Sequence, residues 1–239
     1  MNTLTSRAVD GGLAEYCAYT STQVHRVNKL PGVEGVLVEP TSCAIQMLHR
    51  LAPKIGSSAL VLGSGPAGII LAQLLKRNGA HEEQVTLASL PGMKLETARR
   101  IGAAHSYLEL HGDTPDGSLL ALQERRPLGF DIVVEATGVT SVLEESIKFV
   151  CRGGKLAIFG VYSSVRRLMW DPNILAVRHI NLVGSISEVN RFPAAIAYLE
   201  SEKVCVEEVV NKVFRIEDWG NCLESLRSPG TVKAAIVFD

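Results

Sequence analysis

The chain has no surplus of positive charge. Its 24 Lys and Arg stand against 25 Asp and Glu, for a formal charge of -1 and a pI near 6.6. Neutralising a phosphate backbone or an anionic lipid surface takes a basic excess, so no nucleic-acid partner is expected. Closely spaced cysteines are also missing. Cys17, Cys43, Cys151, Cys205 and Cys222 form no C-x-x-C pair, and no basic-then-apolar leader opens the sequence, which together fit a reducing, cytoplasmic setting. Nor is there a long apolar run. The longest, Pro66–Leu75, is interrupted by Gln73 and falls far short of the roughly 20 residues a membrane helix needs, so no membrane span is expected.

What is present is a composition of 46% hydrophobic and 21% charged residues over 239 positions, which suits an α/β protein of one large domain, with or without a piece of another. From Ser58 onward, short β-rich runs alternate with segments of helical period. Strands are expected at Ala59–Leu62, Val85–Ala88, His105–Leu108, Phe130–Glu135, Lys155–Val161 and Ile180–Gly184. Helices are expected between them at 66–78, 93–102, 117–126, 140–150 and 171–178. Such alternation predicts βαβ units, and six strands predict a doubly wound parallel Rossmann sheet. Within 140–150, Leu143, Ile147 and Val150 form one apolar stripe, leaving Glu144 and Glu145 for water. After Ser185 the pattern changes to a helix at 192–202, a strand Val209–Phe214, a helix at 216–226 and a strand Lys233–Phe238, expected to lie outside the sheet.

The stretch ALVLGSGPAGIILAQLLKRNGA, residues 59–80, carries the strongest chemical signal. Gly63, Gly65 and Gly68 fit G-x-G-x-x-G directly after an apolar strand and at the opening of an apolar helix. In that setting the first glycine permits the tight turn, the second lets backbone approach a pyrophosphate, and the third lets helix and strand pack closely, while the helix N-terminus offers free N–H groups. An NAD site usually places Asp or Glu at the end of the second strand, about 20 residues on, to accept from the ribose 2′-OH. Ser89 stands there instead, with Leu90 after it and Lys94, Arg99 and Arg100 downstream. A 2′-phosphate would meet a hydroxyl donor and cations, so NADP is favoured over NAD.

At this point the chain resembles the medium-chain dehydrogenase/reductase superfamily, closest to its zinc-type alcohol and polyol (sorbitol-like) dehydrogenases. The resemblance rests on GGLAEYCAY at 11–19, LVEPTSCAIQML at 37–48, the glycine stretch, KLETARRIGAAH at 94–105, FDIVVEATG at 130–138, RGGKLAIFGV at 152–161 and INLVGS at 180–185. It implies three parts: residues 1–40 as a remnant of a GroES-like catalytic β domain, 41–190 as the Rossmann domain, and 191–239 as a segment returning to the catalytic domain. It also implies that Pro66 and Ala67 lie beside the pyrophosphate and that Ser89 and Lys94 lie at the adenosine ribose. Thr137, Gly138, Phe159, Gly160 and Val161 would line the path to the nicotinamide. Glu39 matches the glutamate that neighbours the catalytic zinc in that family.

The departures are as informative. No G-H-E motif and no four-cysteine zinc lobe is found, which implies that most of the catalytic domain is absent. Cys17, Cys43, His25 and His49 are the only substitutes for its zinc ligands that suggest themselves, and His25 reads as a loop residue and His49 as a helix-end residue, so no zinc is expected on this chain alone. Ser187 and Glu188 replace an Arg-Tyr pair typical of polyol dehydrogenases, which argues against a sugar alcohol. The expected function is hydride transfer between an alcohol or ketone and the nicotinamide of NADP(H). The rival is an inactive NADP(H)-binding module or sensor, and a third possibility is a partial gene model of a complete enzyme. The resemblance further implies a homodimer, or a tetramer, through the last sheet strand near Ile180–Ser185.

Overall fold

The computed structural model describes residues 11–30, 32–78, 84–111, 117–163, 167–186 and 190–238. Six parallel strands form one sheet in the order β3-β2-β1-β4-β5-β6. They are β1 (Ala59–Leu62), β2 (Val85–Ser89), β3 (Ser106–Glu109), β4 (Phe130–Glu135), β5 (Val150–Ile158) and β6 (Asn181–Gly184). The helices are α1 (Val38–Leu51), α2 (Pro66–Arg77), α3 (Met93–Arg100), α4 (Gly117–Arg125), α5 (Thr140–Ser146), α6 (Pro172–Arg178), α7 (Phe192–Glu200) and α8 (Trp219–Ser225). Strands β7 (Val210–Arg215) and β8 (Lys233–Val237) pair in parallel as a separate two-stranded sheet. The strand order is that of a Rossmann fold.

The pleat explains the double winding, because successive side chains of β1 enter opposite cores. Ala59 and Val61 join a cluster with Met47 and Leu51 of α1, Leu71 and Leu74 of α2, and Ile196 and Leu199 of α7. Leu60 and Leu62 join a second cluster with Phe130, Leu143, Ile147 and Leu156. Both faces are therefore dry, as a parallel sheet requires. Of the expected stripe over 140–150, Leu143 and Ile147 are buried on the helix and its 3-10 extension, while Val150, also buried, belongs to β5. Glu144 does not simply face water, since its carboxylate accepts from the Met169 N–H at 3.0 Å and its carbonyl accepts from the Trp170 indole at 3.1 Å.

Two expectations need correction. Strand β5 starts at Val150, five residues before the expected Lys155, and ends at Ile158. The Gly153-Gly154 pair suggests a turn in the sequence, yet Gly153 at φ +78° forms an irregularity within the strand. The register with β4 jumps there, from Phe130 opposite Val150 to Ile132 opposite Lys155, which shortens the preceding helix to Ser146 plus a single 3-10 turn. Helix α1 is anticipated only through His49, read as a helix-end residue, and not in its bounds. Its buried Val38, Thr41, Ala44, Met47 and Leu51 recur every three or four positions, a periodic signal present in the sequence but masked by the polar residues between.

The carboxy-terminal elements form no part of the six-stranded sheet, as expected, but they are anchored to it. Gln73, buried on α2, lies among apolar neighbours because its side-chain amide pairs with the Cys205 backbone. Its Nε2 donates to the Cys205 carbonyl and its Oε1 accepts from the Cys205 N–H, each at 2.8 Å. No helix of the described residues is long and apolar enough to cross a membrane.

Candidate coenzyme-binding site

The order 3-2-1-4-5-6 reverses direction at β1, and crossovers leave to opposite sides from β1 and β4, so a crevice must open beyond their carboxyl ends. The glycine turn sits in that crevice. The Gly63 N–H donates to the Ala88 carbonyl at 2.8 Å and the Ala136 N–H donates to the Leu62 carbonyl at 2.9 Å, stitching the ends of β2, β1 and β4 into one rim.

The three glycines are required for different reasons. Gly63 has φ +111°, and a Cβ there would lie 3.0 Å from Thr137 Cγ2 and 3.1 Å from the Ala136 backbone. Gly68 is barred from any side chain because its Cβ would drive into the Gly63 carbonyl oxygen. Gly65 is unlike both. Its φ of -64° is open to any residue, and a Cβ there would meet nothing within 4 Å. Neither strain nor packing within the chain calls for glycine at this position, whereas a ligand pressed against its backbone would. Pro66 follows at the first helical position, where its missing N–H costs nothing, and the N–H groups of Ala67 and Gly68 in the first turn have no intrahelical acceptor.

A cleft of about 360 Å³ opens over this turn, lined by Gly63, Ser64, Gly65, Ser89, Lys94 and Thr137 among others. Its far wall includes Pro229, contributed by the carboxy-terminal segment. Ser64, only 2% exposed, donates its hydroxyl to Ser89 Oγ at 2.7 Å. Of the three cations noted in sequence, Lys94 lines the cleft, while Arg99 is paired with Glu109 at 2.9 Å and Arg100 with Glu208 at 2.6 Å. The shape and donors suit a dinucleotide: a glycine-lined backbone and helix N-terminus for the pyrophosphate, and Ser89 with Lys94 at the end of β2 for the adenosine ribose.

The residues expected on the nicotinamide path lie past the ends of β4 and β5. Thr137 lines the cleft, whereas Phe159, Gly160 and Val161 are outside its lining, Phe159 packing against the main core and Val161 being 75% exposed. Gly138, at φ +75°, would place a Cβ 2.6 Å from the Val161 carbonyl, and a Cβ on Gly160 would run into Gly138 N and Glu135 Oε2. The two loops therefore touch backbone to backbone. Between them lies a group that sequence reading passed over, the fully buried Glu135 carboxylate. It accepts from the Thr137 N–H at 2.6 Å, the Gly138 N–H at 3.3 Å, the Thr137 hydroxyl and the Tyr162 hydroxyl. Burial, reinforced by the hydrogen bond to Glu135 and its charge, pushes the Tyr162 phenol far above its usual range. A carboxylate at the end of an apolar strand that is followed by Thr and Gly is the signal that could have found it.

The zinc chemistry does not fit these residues. Glu39 is exposed in the first turn of α1 and accepts from the Cys43 thiol at 3.1 Å. His49 is ten residues further along the same helix, about 15 Å away at 1.5 Å per residue. His25 stacks on Phe192 with ring centroids 5.5 Å apart, and the exposed Cys17 contacts only the Gly11 carbonyl, at 4.0 Å. Among the described residues no three His, Cys, Asp or Glu converge on one point, and a catalytic zinc needs three protein ligands. Ser187 and Glu188 lie outside the described residues.

Known proteins align with this arrangement. The chain is 42% identical over 228 residues to D-arabinitol dehydrogenase 1 of Uromyces fabae, covering 95% of this chain and 65% of that protein. It is 27% identical over 232 residues to the sorbitol dehydrogenase of Gallus gallus, covering 96% of this chain and 64% of that protein. It thus spans somewhat less than two thirds of the length of these curated relatives. In three dimensions it matches a zinc-binding dehydrogenase of Sinorhizobium meliloti 1021 solved with NADP at a TM-score of 0.83 and 23% identity, covering 96% and 66% of the two chains. It also matches a short chain alcohol dehydrogenase of E. coli CFT073 complexed with NADH at a TM-score of 0.85 and 18% identity, with the same coverage. At those identities the structural matches establish the Rossmann fold alone. The family described as the glucose dehydrogenase C-terminus matches residues 32–238, a span that holds the glycine turn, the whole six-stranded sheet and both carboxy-terminal strands, and the chain belongs to that family.

Proposed function

We propose that this chain binds NADP(H) and forms the coenzyme-holding part of an alcohol or polyol dehydrogenase, in which hydride passes between an alcohol or ketone and the nicotinamide. The observation that carries this reading is Gly65, a glycine whose missing side chain nothing in the chain itself requires, placed at the N-terminus of α2 over a cleft of about 360 Å³. In this reading residues 41–190 are the coenzyme domain and 191–239 the returning segment, and Gly63, Gly65, Pro66, Ala67 and Gly68 hold the pyrophosphate. Thr137, Gly138, Phe159, Gly160 and Val161 border the nicotinamide. Bound coenzyme would supply the hydride acceptor, and the chain's own residues bind, orient and shield it. Glu39, by the resemblance, would neighbour the reacting end, and among the described residues no three ligating side chains converge to hold a metal there.

Relatives named as polyol dehydrogenases support the oxidoreductase over an inactive module, and they make a polyol the first substrate class to test despite Ser187 and Glu188. Pairing through β6 would give the dimer expected from sequence. That strand bonds to β5 on one side only, with Leu182 44% and Ile186 67% exposed nearby.

The preference for NADP rests on Ser89, since a carboxylate there would repel a 2′-phosphate and a hydroxyl can donate to it. A hydrogen bond to a charged group contributes about 1.5–3 kcal/mol, so NADPH should bind about tenfold or more tightly than NADH, and Ser89→Asp should reverse the order. Calorimetric titration of both coenzymes tests this. Equal affinities, or a preference for NADH in the unmodified chain, would defeat it.

A further inference from the structure

The Ser64–Ser89 pair makes a prediction about coenzyme choice that the glycine pattern does not contain. Ser64 occupies a variable position of G-x-G-x-x-G, where the motif assigns no role to a side chain. Here it is buried, and its one hydroxyl proton goes to Ser89 Oγ at 2.7 Å. The backbone beneath Ser89 is held on both sides, by the Gly63 N–H on the Ala88 carbonyl and the Leu110 N–H on the Ser89 carbonyl, each at 2.8 Å. With the backbone fixed and one lone pair of Oγ taken by Ser64, the Ser89 proton is not spent on Ser64 and is available to the cleft that both serines line. A hydroxyl that accepts a hydrogen bond is also polarised into a better donor. Of the cations nearby, Arg99 is turned to Glu109, and Lys94, which lines the same cleft, supplies charge that Ser64 does not aim.

We infer that Ser64 is a positioning residue for coenzyme selection: it aims the Ser89 hydroxyl at the 2′-phosphate of NADP(H) and thereby sets the discrimination against NAD(H). This rests on the dinucleotide-binding reading above. A phosphate oxygen at this place accepts a charge-assisted hydrogen bond, roughly twice as strong as the neutral bond a ribose hydroxyl would accept, so losing the aim of Ser89 penalises the phosphorylated coenzyme selectively.

The test is a double-mutant cycle read by calorimetry with NADPH and with NADH. Ser64→Ala should raise the Kd for NADPH about five- to tenfold, less than the loss of a whole charge-assisted hydrogen bond because Ser89 keeps its hydroxyl, while the Kd for NADH changes less than about twofold. In a Ser89→Ala background, Ser64→Ala should have no further effect on NADPH, because the group it acts through is gone. Ser64→Thr, which keeps a hydroxyl, should restore the preference, and melting temperatures close to that of the parent confirm that each variant is folded. Equal losses for both coenzymes, or an unchanged Ser64→Ala effect when Ser89 is already Ala, would overturn the role of Ser64 and leave dinucleotide binding standing. Failure of the unmodified chain to bind either coenzyme would instead remove the underlying reading.

Discussion

Two glycine-bearing stretches of this chain behave in opposite ways. In the turn at residues 63–68, two of the three glycines are hemmed in by backbone, and the turn is stitched to its neighbours by buried hydrogen bonds. In the amino-terminal stretch at 11–30, a Cβ on Gly11 would meet nothing within 4 Å, and Tyr16, Tyr19 and Val24 are 90%, 60% and 61% exposed. That stretch contacts the body through Glu200, through the stacking of His25 on Phe192 and through Leu30, which packs against the main core. The contrast teaches that a glycine is informative through the collision it avoids. It also shows where stability resides, since the four ion pairs among the described residues are all substantially exposed and such pairs contribute little. The dry faces of the sheet carry the fold.

The sharpest way to break the contrast lies inside the turn. Gly68→Val must move the Gly63 carbonyl, and overpacking against backbone costs about 1–3 kcal/mol or more, a fall in melting temperature of about 2–12 °C at this chain length. Gly65→Val meets no protein atom and should leave the melting temperature nearly unchanged while weakening NADPH at least about a hundredfold, equivalent to about 2.7 kcal/mol. Gly11→Val should change neither property. If Gly65→Val binds NADPH like the parent, the turn is only a turn.

Next in size is the tie between α2 and the carboxy-terminal segment. Gln73→Leu would match the apolar neighbours, yet it strands the Cys205 N–H and carbonyl that the amide now satisfies. Loss of two such bonds should cost about 2–3 kcal/mol, or about 4–12 °C. A neutral or stabilising outcome would mean that water replaces the amide and that this segment is anchored by its apolar contacts alone.

A smaller effect is expected past the ends of β4 and β5, where Tyr162→Phe removes one donor from the buried Glu135. A hydrogen bond to a charged group is worth about 1.5–3 kcal/mol, and the lower end applies because Thr137 and Gly138 remain as donors. The pH dependence gives a second readout. Burial, then the hydrogen bond to Glu135 and its charge, raises the Tyr162 pKa in the folded state, so the stabilisation is present below the unfolded value of about 10 and is lost as pH rises above it. Tyr162→Phe should therefore flatten the alkaline limb of the stability curve. Some slope should persist, because burial also raises Tyr107.

Much of the sheet was legible because its signals are local. β1 and β4 match their expected bounds to the residue, since an apolar run ended by glycine or by a polar residue has few alternatives. β5 was misjudged because Gly153 at positive φ reads as a turn from sequence, and only its pairing with β4 shows that the strand continues through it. α1 was legible only at its end, through His49, because its apolar positions make sense only against α2 and α7, which cover them. In the candidate site, the glycines and Ser89 were legible as candidates from spacing along the chain, and the structure brings Gly63, Gly65 and Ser89 to one cleft. Ser64, Glu135 and Tyr162 were not, because their roles depend on partners 25 and 27 residues away in sequence that strand order alone brings together.

The smallest expected effect returns to the amino-terminal stretch. Glu200 is the last residue of α7, where the helix dipole disfavours a negative charge, yet its carboxylate accepts from the Asn28 and Lys29 N–H groups at 2.5 and 2.9 Å. Those two backbone bonds hold its pKa below the usual carboxylate range, so the tether is intact above about pH 4.3 and loosens as pH falls below it. Asn28 and Lys29 are exposed, Glu200 is half-buried, and the segment they hold buries little beyond part of Leu30, so Glu200→Ala should leave the melting temperature nearly unchanged. It should speed amide exchange at Asn28 and Lys29 by about tenfold, the mark of a local opening separate from global unfolding, and the same acceleration should appear in the parent below about pH 4. If Glu200→Ala instead lowers the melting temperature as far as Gln73→Leu does, residues 11–30 belong to the cooperative unit, and the contrast between a load carried by the sheet and a stretch merely fastened to it is lost.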